Sequence, residues 1–174
     1  MSNLFRALIV AASIGACAAL APAESLREYQ AKGAFLVNFA RFIDWSADTF
    51  DGAAGPLVVC FAGDRWIEGE LESAIAGRQA GSRTLRLTRP SGVAGCHLLF
   101  VSANEPLDRV QRMTSDFTVT VGEHRDFLKA GGHIQLHMDA DHIRFDIAPS
   151  VVKSSRFQVS SRLLTLARPP RKSP

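Results

Sequence analysis

The chain has 174 residues, of which 20 are basic and 17 acidic. Its excess of positive charge does not mark a nucleic-acid-binding face, because Arg6 lies in an N-terminal leader and Arg168, Arg171 and Lys172 lie in the closing RPPRKSP. The body between them carries 16 basic against 17 acidic residues and is almost neutral, whereas nucleic-acid recognition asks for a basic patch on the fold itself.

Residues 1–23 read as a secretory signal peptide. A single basic residue, Arg6, precedes an uncharged run over 7–20, and Ala21-Pro22-Ala23 follows as a small-x-small cleavage site. The run is too short for a membrane span, which needs about 20 apolar residues. Cleavage after Ala23 leaves 151 residues, enough for one domain around one core. Ile14-Gly15-Ala16-Cys17 offers the alternative of a lipoprotein, with Cys17 as the lipidated residue.

The stretch 28–45, EYQAKGAFLVNFARFIDW, reads as one helix. Arg27, Gln30, Asn38 and Arg41 fall on a narrow polar stripe, and Phe35, Phe39, Phe42, Leu36, Ala40 and Ile43 form apolar rows beside it. A helix apolar over so much of its circumference is expected to be covered on more than one side. Gly33 inside it costs about 1 kcal/mol against alanine, which predicts a second backbone crossing closely there.

Residues 46–56 form a loop rich in Ser, Asp and Gly. LVVCF over 57–61 and CHLLFV over 96–101 are continuous apolar runs of the kind that form strands buried on both faces. Residues 66–75 form an amphipathic helix that Asp64 can cap. Its Glu68, Glu70 and Glu72 read as a solvated face, since Glu70 points away from the other two. RTLRLTR over 83–89 suggests an exposed or edge strand, 107–113 a short helix, 117–121 a third apolar strand and 124–129 a helical turn. Runs over 133–138 and 142–147, parted by Asp139-Ala140-Asp141, form a β-hairpin. Pro149 opens a helix through Ser154, and an amphipathic helix over 159–167 closes the fold. This alternation predicts a single α/β layered domain over 24–167. Its sheet is mainly parallel with a C-terminal antiparallel hairpin, helices flank it, and a basic disordered tail covers 168–174.

With Cys17 removed, Cys60 and Cys96 remain, and two cysteines in an oxidising compartment favour pairing. Such a loop would stabilise the fold by roughly 3–4 kcal/mol. Two cysteines do not make a structural zinc site, and no C-x-x-C redox motif is present. His133, His137 and His142 are drawn near one another by the hairpin, but their spacing is generic and read as exposed, so no metal is assigned. Gly63 follows a buried strand without the glycine pattern of a dinucleotide or phosphate loop. Arg156, Ser160, Ser161 and Arg162 could hold an anion at a helix start or act as cap and solvated face. No serine with a base and an orienting acid can be picked out, and no catalytic set is predicted.

Taken in order after a signal peptide, EYQAKGAFLVNFARFIDW, LVVCFAGD, CHLLFVS, FTVTVGEHRDFLKAGGHIQL, IRFDIAP and FQVSSRLLTLA resemble the YfiR-like family of bacterial periplasmic proteins over nearly the whole mature chain. The resemblance implies an α/β domain with a disulfide on Cys60 and Cys96. It also implies a regulatory role without enzymatic activity or cofactor. The protein would bind the periplasmic sensor domain of an inner-membrane diguanylate cyclase and hold the cyclase inactive, lowering cyclic di-GMP and biofilm formation. Ser46 stands where members commonly have proline, Ala148 where asparagine is frequent, and a second cysteine pair found in some members is missing. Trp45, Phe157 and Arg162, aromatic or arginine residues at element ends, are the expected partner contacts. A homodimer is compatible with this reading. A periplasmic small-molecule-binding module serving a transporter or sensor kinase is the alternative.

Overall fold

The structure, a computed structural model, describes residues 21–91 and 95–167. Most of the expected signal peptide and the basic tail 168–174 lie outside the described residues. Helix α1 (Ala21–Phe42) leads into a short strand β1 (Ile43–Trp45), and strand β2 (Leu57–Ala62) follows. Then come helix α2 (Arg65–Ile75), strands β3 (Gln79–Ala80), β4 (Arg83–Thr88) and β5 (Leu98–Val101), and helix α3 (Leu107–Val110). Strands β6 (Val119–Gly122), β7 (Ile134–Asp139), β8 (His142–Ile147) and β9 (Phe157–Val159) and helix α4 (Ser161–Leu166) complete the order.

Seven strands form one sheet in the order β3-β4-β2-β5-β6-β7-β8, and β1 and β9 form a separate ribbon. From β4 through β7 every pairing is parallel, while β3 and β8 pair antiparallel at the two edges. This is the mainly parallel α/β sheet with a hairpin at one end that the alternation of elements predicts.

Both faces of the central strands are covered, which explains their unbroken apolar runs. Leu57, Val59 and Phe61 of β2 and Leu98 and Phe100 of β5 join the larger core with α1 and α2. Val58, Cys60 and Ala62, with Leu99 and Val101, face the other way onto a smaller core with Val110 and Phe127.

Helix α1 lies over the larger core through Leu36, Phe39 and Ala40, all buried. A Cβ added to Gly33 would sit 2.4 Å from the Cβ of Ala74, so the missing side chain is what lets α2 cross there. Three local expectations are corrected. The first helix ends at Phe42 instead of continuing to Trp45. There the Phe42 carbonyl accepts the Ser160 N–H at 2.9 Å, and Ile43, Asp44 and Trp45 pair with Val159, Gln158 and Phe157. Strand pairing outweighs a helical period that runs on through the sequence. Residues 124–129 form the expected turn, closed by the Phe127 N–H donating to the His124 carbonyl and the Ala130 N–H to the Asp126 carbonyl, whereas the segment after Pro149 is 3₁₀, Pro149–Lys153, and no α-helix through Ser154. Lys32, inside the supposedly apolar face of α1, is a buried charge.

Gly33→Ala is expected to destabilise the fold by about 1–2 kcal/mol, because overpacking exceeds the gain in helix propensity. Ala74→Gly, destabilising alone, is expected to restore stability in the Gly33→Ala background. Urea denaturation of the four-membered cycle measures both effects.

Candidate partner-binding surface

Trp45 and Phe157, two of the three expected contact residues, are cross-strand partners in the β1–β9 ribbon. Phe157 is buried, with its ring edge-on to His133 at 5.8 Å. It therefore supports the ribbon from beneath. Trp45 is half-buried, and its indole Nε1–H donates to the Phe117 carbonyl at 2.9 Å. Arg162, in the first turn of α4, is exposed, and its backbone N–H donates to the hydroxyl of the cap residue Ser160 at 3.2 Å. Ser160 thus serves as a cap. Arg156 turns away from α4, with Nη1 2.7 Å from the Asp48 carboxylate and Nε 3.3 Å from Asp116. The hydrogen bond from Arg156 holds the Asp48 carboxyl below its ordinary value.

Behind Trp45 stands His97, which belongs to no motif in the sequence. It is 3% exposed. Its Nδ1 accepts the Val58 N–H at 3.1 Å, and its own N–H donates to the Val58 carbonyl at 2.9 Å. The proton of the neutral ring is therefore on Nε2. The imidazole stacks on Phe50 with centroids 4.3 Å apart, meets Trp45 edge-on at 5.9 Å and tilts against Phe117 at 5.4 Å. The Arg83 guanidinium covers the other face of Phe50 at 3.6 Å. Burial pushes the His97 pKa down to about 4; the Thr49 backbone opposes that shift and the charge of Arg83 adds to it. The signal that could have found this residue is its place directly after Cys96, at the head of an otherwise apolar run.

Cys60 and Cys96 are bonded, with Cα atoms 5.7 Å apart. Both are buried in the smaller core, and the Thr118 hydroxyl donates to the Cys96 carbonyl at 2.8 Å. The bond thus fixes the residue next to His97, and His97 in turn backs Trp45. A covalent link inside the sheet is connected to the ribbon by one side chain.

The carboxyl ends of β2 and β5 form the crevice where open α/β sheets commonly hold ligands. Here the protein fills it with its own groups. A Cβ on Gly63 would come within 2.4 Å of the Ser102 hydroxyl oxygen. Lys32 reaches down from α1 and pairs with both Glu28 and Glu123. The Tyr29 hydroxyl donates to Glu123 at 3.1 Å, and the Ala103 N–H donates to the same oxygen at 3.3 Å. Burial, then the Glu123 charge, push the Tyr29 pKa up, so the phenol stays protonated and keeps donating.

The hairpin histidines do not converge. His142 pairs with Asp139, and Arg144 is the residue opposite His137. His133 contacts Thr120, with its Nδ1 3.1 Å from the Thr120 backbone nitrogen. Among the described residues no group of three or more His, Cys, Asp or Glu is placed to hold a metal ion. Nor, among them, is any helix long and apolar enough to cross a membrane.

Comparison with known families decides the class. The family model described as YfiR/HmsC-like matches residues 29–168. The chain belongs to that family. Its members are periplasmic regulators of diguanylate cyclases. No curated protein matches the chain. The match runs from Tyr29, past the disulfide and His97, to the end of α4, so it takes in both the ribbon of this YfiR/HmsC-like chain and its filled crevice.

Because His97 must stay neutral in the fold and takes up a proton more readily when unfolded, its contribution is complete above pH 6.5. That contribution is lost as the pH falls toward about 4. The loss across that window is expected to approach about 3 kcal/mol. Urea midpoints measured from pH 7 to pH 4 should fall less steeply for His97→Gln than for the wild type.

Proposed function

We propose that this chain is an exported regulatory binding protein that occupies the periplasmic sensor domain of an inner-membrane diguanylate cyclase. Bound to the inactive form of that domain, it shifts the population toward the inactive cyclase, lowering cyclic di-GMP and biofilm formation. The observation that carries this reading is the family match over residues 29–168. A buried disulfide, which needs an oxidising compartment to form, agrees with it. Residues 1–23 are removed as the signal peptide, and the mature protein starts at Glu24. The intact mass of protein recovered from the periplasm measures this, and lipidation at Cys17 would give a different, larger product.

The contact surface is the β1–β9 ribbon with the start of α4. Trp45 and Arg162 meet the sensor domain, and Phe157 holds the ribbon in place. The disulfide keeps that surface in its binding shape through His97. Cys60→Ser is expected to lower stability by roughly 3–4 kcal/mol and to raise cyclic di-GMP in cells that carry the cyclase. Arg162→Glu is expected to leave the fold intact, since only the backbone N–H of Arg162 serves as a capping donor, and to weaken capture of the purified sensor domain about tenfold. Unchanged stability and unchanged repression in Cys60→Ser would remove the link between the bond and the function. Full-strength capture by Arg162→Glu would move the contact surface elsewhere.

A further inference from the structure

Two histidines stand at the same place in two different strand pairs. His97 immediately precedes Leu98, the first residue of β5 to pair with β2, and Val58 immediately precedes its partner Val59. His133 immediately precedes Ile134, the first residue of β7 to pair with β6, and Thr120 immediately precedes its partner Val121. In both places the imidazole Nδ1 accepts the N–H of the neighbouring strand, from Val58 at 3.1 Å and from Thr120 at 3.1 Å. Each ring thus supplies an acceptor just beyond the end of a ladder.

Both rings also support the ribbon. Trp45 and Phe157 are partners across β1 and β9. Trp45 stands edge-on to His97 at 5.9 Å, and Phe157 stands edge-on to His133 at 5.8 Å. Each member of this cross-strand pair therefore rests on one histidine. Both Nδ1 bonds need a neutral ring, since a protonated Nδ1 is a donor and sets N–H against N–H. The Thr120 hydroxyl, 3.2 Å from Nδ1 of His133, can accept that proton, but the buried Thr120 N–H then loses its acceptor. A ring that turns away from its N–H gives up its edge contact with the ribbon as well. The damage stays local, because both bonds lie outside the paired ladders. The Cys60–Cys96 bond still ties β2 to the segment before β5.

Few charges bear on either ring. Arg83 of β4 lies across Phe50 from His97, and its charge opposes protonation there. Asp48 and Asp116, next in sequence to Thr49 and Phe117, are both paired with Arg156. The cavity between α3 and residues 127–132 that His133 lines holds no other titratable side chain.

We infer that His97 and His133 form an acid latch: protonation of the two rings frees Trp45 and Phe157 from the sheet, and with them the β1–β9 ribbon, while the sheet stays paired. Burial pushes both pKa values down, that of His97 to about 4. The latch is therefore closed above pH 6.5 and opens as the pH falls toward about 4. Where the ribbon is the contact surface, acid also dissociates the partner, and only this consequence rests on the proposed function.

Amide and indole hydrogen exchange of the mature protein, followed by NMR from pH 7 to about pH 4, tests the latch. Protection of the Trp45 indole N–H, which donates to the Phe117 carbonyl, is expected to fall at least about tenfold while the Leu99 and Val121 N–H groups stay protected. Asparagine puts an uncharged acceptor near the place of Nδ1, so combining His97→Asn with His133→Asn should make Trp45 protection independent of pH over that range. Trp45 protection that persists to about pH 4 in the wild type overturns the inference. So does its loss together with that of Leu99 and Val121, which is acid unfolding, or an unchanged pH response in the double variant. Should the asparagine variants fail to fold, the wild-type comparison of Trp45 with the central strands decides by itself. Capture of the purified sensor domain over the same pH range tells the latch from the proposed function. Release of Trp45 with capture unchanged supports the latch and moves the contact surface off the ribbon.

Discussion

The exchange of two hydrogen bonds between Val58 and His97 fixes the ring against which Phe50 and Trp45 pack. The imidazole takes the Val58 N–H and the His97 backbone returns a bond to the Val58 carbonyl, just before β5 settles against β2. The ring is thereby held at a fixed height under Phe50 and Trp45. It can do this only while neutral, since a protonated ring has no lone pair for the Val58 N–H. The disulfide one residue earlier limits how far the segment can drift. A covalent bond, a neutral histidine and an aromatic stack act in series, and Trp45 sits at the end of that series.

Much of the architecture was legible because it rests on local pattern. The apolar runs at 57–61 and 96–101 have no polar alternation, and both prove to be strands covered on two sides. The hairpin announced itself through Asp139-Ala140-Asp141, and its strands fall within a residue of their expected ends. Gly33 inside a helix signalled a close crossing, and Ala74 is what crosses. What escaped the reading depends on partners distant in sequence. Ile43-Asp44-Trp45 continues the helical period, and only β9, more than a hundred residues later, draws it into a strand. Lys32 looks like a lapse in an apolar face until Glu123 is seen across from it. His97 carries no motif at all. Of the three expected contacts, an aromatic residue at an element end described Trp45 and Phe157 equally well in sequence. Burial separates them.

The filled crevice bears on how such a fold can serve regulation. In an open α/β sheet the carboxyl ends of the strands are the usual place for a ligand. Here a lysine salt-bridged to two glutamates, a tyrosine and a closely packed glycine occupy that place. Pulling one member of such a buried ionic group away leaves the others uncompensated, which is costly. Under the proposed function, recognition then falls to the β1–β9 ribbon.

The disulfide also has a topological effect. It joins Cys60 to Cys96, so β2's last two residues, α2, β3 and β4 all lie within one closed ring of chain. A protease that cuts once anywhere between the two cysteines leaves a single covalent molecule, with both new ends still anchored in the sheet. For a single cut within that ring, a reductant is also needed to divide the polypeptide in two. If the chain is exported as proposed, to where proteases act and resynthesis does not reach, a nick in its first crossover leaves it in one covalent piece.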